Sequence, residues 1–214
     1  MVAAKSSSDG VLTISAPRFE VLTVTLIGAA PYMQARFAEK AKQAMRDKME
    51  AGSTAKKGKR EARDFEADFQ SSMHRTEDGR YGIPAPAFRN ALIDACRMVG
   101  YPMTKAKMSV FVLADDADAI DGTPLVYIDG EPEKSEMMTR NATGVADIRV
   151  RGLWRKWSCV LTLRYDADQF TGQEVLNLLT RAGVQVGVGE GRPFSKQSNG
   201  MGFGTFDVQA TGSD

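Results

Sequence analysis

The sequence has one histidine, His74, and two cysteines, Cys96 and Cys159, among 214 residues. A single histidine excludes any site that needs two, and so few thiols leave a metal centre built on Cys and His without a ligand set. Both cysteines sit in apolar runs, and two do not make a disulfide framework. No apolar stretch approaches the roughly 18 residues of a membrane-spanning helix. The opening residues, MVAAKSSSDG, lack the apolar run of a secretory signal. These absences lead to an expectation of a cytoplasmic protein, in a bacterium or a phage-infected cell, with no membrane association, no metal and no cofactor. Net charge is also scarce, at +1.

What is present is a globular composition, 43% hydrophobic and 26% charged, which suits one domain over residues 1–214. The small net charge hides segregation. Residues 36–63 carry 10 basic and 4 acidic side chains, a net of +6; residues 114–136 have a net of −7, and residues 137–164 a net of +5. Such runs are either solvated surface or faces that meet a polyanion or a neighbouring copy of the chain.

Residues 1–16 read as a mobile tail. Phe19 to Ile27, rich in β-branched residues, reads as a buried strand. Met33, Phe37, Ala41, Met45 and Met49 recur every four residues and predict a helix with one apolar stripe, fading at Gly52. A polar basic loop follows, and Phe65 and Phe69 suggest another helical turn or two. The clearest helix follows Pro86, with Phe88, Ala91, Leu92, Ala95, Cys96 and Val99 on one face and Gly100 at its end. Lys107 to Leu113 and Leu125 to Ile128 read as strands. Ile148 and Val150 alternate with Arg149 and Arg151, giving a strand with an apolar and a basic face. Trp157, Cys159, Leu161, Leu163 and Tyr165 alternate in the next strand, which makes Trp157 a core residue. Thr171 and Glu174 form a capping box before a helix ending at Gly183, and Phe203 to Val208 is the last strand. With segments 32–80 (helical and basic) and 114–147 (acidic) set aside as insertions, the order is βαββαβ. That order predicts an α+β fold with a ferredoxin-like (RRM-like) core, two helices on one face of an antiparallel sheet.

Residues 183–204 contain seven glycines. Glycine permits close backbone approach to a ligand, and successive N–H groups can cradle phosphate; the other reading is a tight loop that needs glycine only to turn. No phosphate-binding P-loop pattern is present, and the segment follows a helix and precedes a strand, the reverse of the dinucleotide-binding arrangement.

The position of this segment, ending in Gly200-Met201-Gly202-Phe203-Gly204, resembles the glycine loop of the RAMP superfamily, the RNA-binding proteins that build and process CRISPR effector complexes. A second stretch, Gly82-Ile83-Pro84-Ala85-Pro86-Ala87-Phe88-Arg89-Asn90-Ala91-Leu92, is similar to the motif opening that family's first core helix. It departs from the motif at Ala85, Ala87 and Asn90, where the family has Gly, Ser and Gly. The two motifs span about 35 of 214 residues, and RAMP-like proteins of bacteriophages match them equally well. The resemblance implies a non-catalytic subunit that binds single-stranded nucleic acid, RNA ahead of DNA, and assembles along it as an oligomer or filament.

Candidate contacts are Lys56, Lys57, Lys59 and Arg60 in the basic loop, and Arg149, Arg151, Arg155 and Lys156 for phosphates. Gly187, Gly189, Arg192, Lys196, Gly200 and Gly202 belong to the glycine segment. Trp154 is either a base-stacking residue or core. Some RAMP proteins cleave RNA with a histidine as general base, so a metal-independent endoribonuclease is the alternative. His74, between Met73 and Arg75, is its single candidate, without a partner recognisable from sequence. A third reading is a phage protein that imitates or obstructs such complexes.

Overall fold

The computed structural model describes residues 14–37, 39–52, 63–140, 144, 146–195 and 200–209. In chain order the elements are β1 (Phe19–Gly28), β2 (Tyr32–Gln34), α1 (Glu39–Ala51), α2 (Phe65–Ser71), β3 (Gly82–Pro84), α3 (Ala85–Met98), α4 (Met103–Ser109) and β4 (Val110–Leu113). Then follow β5 (Asp116–Ala117), β6 (Pro124–Tyr127), β7 (Glu133–Arg140), β8 (Ala146–Trp154), β9 (Ser158–Asp166), α5 (Gly172–Arg181) and β10 (Phe206–Gln209). The result is a mixed α+β architecture with antiparallel sheets and, among the described residues, five α-helices. None of the described helices is long and apolar enough to cross a membrane.

The main sheet has four strands in the order β10-β1-β9-β4, every neighbouring pair antiparallel. Strand alternation sends Val24, Leu26, Val110, Cys159, Leu161, Leu163 and Tyr165 to one face, where all are buried. Helices α3 and α5 cover that face with Phe88, Leu92, Cys96, Val175 and Leu179. The opposite face carries Phe19, Val21, Ile27, Leu113 and Val160, all exposed. β1 is therefore buried on one face, not two: its β-branched residues occupy both faces, and composition alone does not separate them. Two smaller sheets, β2-β8-β7 and β3-β6-β5, are built from the segments expected to be insertions and the residues flanking them.

Several boundaries move for local reasons. Met33 lies in β2 and is buried, so the apolar stripe starts after it; α1 begins at Glu39. Residues 103–109 are helical, launched from Pro102, and the strand expected from Lys107 starts at Val110. The helix α5 does not stop at Gly183. A π-helical turn, Ala182–Val186, continues it to Gly187, whose φ is +72°. A Cβ on Gly183 would strike the Phe206 backbone carbonyl, so this glycine serves close packing and not termination. The last strand begins three residues late because Phe203–Thr205 still belong to the glycine loop, where Gly204 (φ +67°) packs on the Val188 backbone. The capping box is present: the Thr171 side chain accepts from the Glu174 N–H (3.2 Å) and the Glu174 carboxylate from the Thr171 N–H (2.7 Å).

Thr171→Ala is expected to cost about 1 kcal/mol, read as a lower midpoint in urea unfolding with an unchanged slope.

Candidate nucleic-acid interface

The residues expected to bind phosphate on β8 are committed to internal partners. Arg151 Nε lies 2.6 Å and Arg149 Nη1 3.5 Å from the Glu190 carboxylate of the glycine segment. Arg155 Nε pairs with Glu133 at 2.7 Å across the β7–β8 hairpin. Lys156, in the turn before β9, is exposed. β8 begins on an exposed hairpin arm but enters the core: Val150, Gly152, Leu153 and Trp154 are all buried, so the two-faced alternation ends midway. Trp154 is fully buried, its indole N–H donating to the Gly130 carbonyl at 3.1 Å and its ring 5.5 Å from those of Tyr32 and Tyr81. It is a core residue and cannot stack on a base. Trp157 is also core, donating to the Ala30 carbonyl at 2.9 Å.

The glycine segment is shaped by φ between +67° and +80° at Gly187, Gly189, Gly191, Gly200, Gly202 and Gly204. These positions divide by what a Cβ would meet. At Gly189 it would lie 2.5 Å from the Met33 carbonyl and 2.6 Å from the Tyr32 ring, and at Gly187 2.9 Å from Pro193. At Gly200 and Gly202 it would meet nothing within 4 Å. Gly189 is thus required by packing on β2 and Gly187 by packing within the glycine segment, and the second pair faces open space. Arg192 bends back onto its own loop, donating to the carbonyls of Gly189 and Phe194, each at 3.0 Å. Lys196 lies outside the described residues, as do Lys56, Lys57, Lys59, Arg60 and residues 1–13 of the expected tail.

His74 has a partner that the sequence did not disclose. Its Nδ1 is 2.8 Å from the Asp118 carboxylate, which comes from the acidic segment 44 residues on. Arg36 Nε lies 3.3 Å from the same carboxylate and its Nη2 3.5 Å from Asp121, with the Arg36 and Asp118 side chains almost wholly buried. Burial alone would raise the Asp118 carboxyl. The N–H groups of Ile120 and Asp121, the His74 ring and the Arg36 guanidinium outweigh it and hold the group below the usual carboxylate range. Gln34 fixes the other side: its amide donates to the Tyr32 hydroxyl (3.0 Å) and Gly82 carbonyl (2.8 Å), and its oxygen accepts from the His74 N–H (2.7 Å). His74, Asp118 and Asp121 offer ligand atoms within 4.8 Å of one another, but Arg36 already pairs with both carboxylates. The cluster is built as an ion pair with a histidine, not as a cation cage. His74 lines a cleft of about 270 Å³, with Tyr32, Gln34, Pro84, Glu190 and Arg192, so both motif stretches reach it.

The sequence reading placed no binding residue on the uncovered face of the main sheet. There the Arg164 guanidinium of β9 lies 5.1 Å from the ring centres of both Phe19 on β1 and Phe111 on β4. The two rings meet edge to face at 5.9 Å, and Arg89 of α3 approaches Phe111 at 5.5 Å. The signal was available: Phe19 and Val21 alternate with residues of the opposite face, and Phe111 falls in an expected strand.

No protein-family model and no curated protein matches the chain significantly.

Asp118→Asn is expected to destabilise the fold by about 3–5 kcal/mol, since it leaves Arg36 buried against a neutral amide. Because the folded-state carboxyl is depressed, wild type gains stability from it above the ordinary carboxylate range and loses that gain as pH falls through the folded value. Thermal melts of both proteins from neutral to acid pH should converge at the acid end.

Proposed function

We propose that this protein is a non-catalytic subunit that binds single-stranded nucleic acid, RNA ahead of DNA, and assembles along it, in the manner of RAMP-superfamily backbone proteins. The reading assigns the main sheet, α3 and α5 to a ferredoxin-like core. In its favour, the first and third core strands, β1 and β9, are central, the last and second, β10 and β4, are edges, and both core helices pack on one face. It makes the uncovered face the strand-binding surface.

The observation that carries the proposal is the Phe19–Arg164–Phe111 arrangement on that face. Aromatic rings beside a guanidinium suit a base stacked next to a phosphate, contacts that tolerate any sequence. Gly200 and Gly202 and the exposed Lys156 extend the reading to the strand's backbone. Arg149, Arg151 and Arg192 act mainly by holding the glycine loop in shape.

Phe111→Ala is expected to weaken a short single strand by about 1–3 kcal/mol, or about 5–150-fold, in fluorescence anisotropy. Arg164→Gln should flatten the slope of log affinity against log salt by about 0.7, whereas Arg149→Gln should leave it nearly unchanged because its charge already faces Glu190. Wild-type affinity and slope in both Phe111→Ala and Arg164→Gln, with melting temperatures preserved, would end the proposal.

The His74–Asp118 contact favours a second reading, metal-independent RNA cleavage. Asp118 holds Nδ1, leaving Nε2 to take the proton from a ribose 2′-hydroxyl. The 2′-oxygen bonds to the adjacent phosphorus, the P–O5′ bond breaks, and the imidazolium returns a proton to the departing oxygen. The products are a 2′,3′-cyclic phosphate and a 5′-hydroxyl. Chelator-resistant cleavage of labelled RNA but not of its deoxy counterpart, lost in His74→Ala, would put this reading first. Retarded migration without cleavage supports the subunit, and no change with either strand supports a protein that only imitates such complexes.

A further inference from the structure

The helix layer holds a pocket of its own, on the other side of the sheet from Phe19, Phe111 and Arg164. It has a volume of about 220 Å³ and lies between the end of α3, one side of α5 and the turn that enters α5. Its inner wall is apolar: Cys96 and Leu178 are buried, and the rings of Tyr101 and Phe170 meet with their centres 4.7 Å apart. Its mouth is polar, with Gln169, Asn177 and Arg181 all exposed.

One side chain of that wall is unsatisfied. The Tyr101 hydroxyl is enclosed, yet no group among the described residues hydrogen-bonds to it. Burial pushes the phenol above its ordinary value, so it stays protonated and keeps an O–H to donate. A hydroxyl taken out of water without a partner loses its hydration with nothing to replace it, and such a group in a folded chain calls for an explanation. Packing supplies none, because phenylalanine would set the same ring against Phe170. Tyr101 stands in the connection between α3 and α4, outside both helices, so its ring can tilt towards the pocket while the helices stay in place.

The groups around the mouth define the molecule that would use this hydroxyl. Glu174 keeps one carboxylate oxygen on the Thr171 N–H and hydroxyl, and its charge opposes a ligand that is only an anion. Asn177 has its oxygen occupied by Gln173 at 3.1 Å, which leaves its NH2 to donate. The Gln169 amide can both donate and accept. A flat heterocycle whose edge alternates donors and acceptors satisfies this set, and side-chain amides pair well with a base edge. An aromatic wall stacks on any base. Arg181 pairs with no carboxylate among the described residues and can take a phosphate. The volume suits one ring system, since pockets for larger ligands run to roughly 300–1,000 Å³.

We infer that this pocket binds the base of a single nucleotide, stacked on the Tyr101–Phe170 wall. The Tyr101 hydroxyl and the Gln169 and Asn177 amides meet the base edge, and Arg181 meets the phosphate. The nucleotide is either free or one residue splayed out of a strand, and the recognition chemistry is the same for both.

Thermal melts and titration calorimetry with the four ribonucleoside 5′-monophosphates test it. At least one is expected to bind wild type and raise its melting temperature. Without ligand, Tyr101→Phe should melt at or above the wild-type temperature, because an unpaired hydroxyl has gone. It should bind the same nucleotide about tenfold more weakly, or worse. Arg181→Gln should weaken the monophosphate and leave the parent nucleoside unchanged. Wild type that binds none of the four overturns the inference. So does a Tyr101→Phe protein that melts lower without ligand, since the hydroxyl then serves the fold, or one that binds like wild type. A short single strand separates the two sources: weakened binding by Tyr101→Phe means that a base of the strand enters the pocket, and unaltered or absent binding means a free nucleotide. Phe111→Ala should leave mononucleotide binding unchanged, so this inference and the sheet-face reading can fail independently.

Discussion

The antiparallel register between β1 and β9 is the constraint on which the rest of the molecule depends. Nine consecutive residue pairs, from Phe19↔Asp166 to Ile27↔Ser158, fix it. A slip of one residue would turn Leu26, Val24 and their partners outward and bring Val21, Thr23 and Ile27 beneath α3 and α5. The register therefore selects the core and the uncovered face together. Phe19, Phe111 and Arg164 come from three strands and share one surface because both β1 and β4 are locked to β9.

A second constraint ties the additional segments to this frame. Arg36, buried at the end of β2, reaches Asp118 and Asp121 in the acidic stretch, and His74 and Gln34 complete the network. A buried ion pair is weak evidence of net stabilisation, since desolvation offsets much of the attraction. What it supplies here is mutual dependence: removing Asp118 leaves the buried Arg36 guanidinium without its closest carboxylate. The stretch following β2 and the stretch following β4 thus keep one relative position, and the cleft beside Glu190 and Arg192 keeps its shape.

Much of the frame was legible from the residues. The period of Phe88 to Val99, the Thr171–Glu174 capping box and the alternation of Cys159 to Tyr165 are local signals, and each produced the element it foretold. The misreadings have non-local causes. Trp154 follows a strand that looks amphipathic, but that strand changes environment midway, and only the position of Tyr32 and Tyr81 shows that the indole is enclosed. His74 looked solitary because its partner is 44 residues away. Gly183 looked like a stop because the proximity of Phe206, which requires a glycine there, is not visible from one segment.

Charge segregation was legible too, but its meaning depends on pairing. Part of the basic and acidic content is consumed inside the chain: Arg36 with Asp118 and Asp121, Arg63 with Asp147, Arg155 with Glu133, and Arg149 and Arg151 with Glu190. A tally along the sequence counts these side chains as available surface charge, although each already faces its opposite. The informative charge is one that faces no carboxylate in the ion pairs among the described residues and lies beside apolar groups: Arg164 over two phenylalanine rings. A charge beside exposed apolar surface restricts what can cover that surface, because burial there must satisfy both. Whatever covers Phe19 and Phe111 must therefore also satisfy Arg164, because one register sets all three side by side.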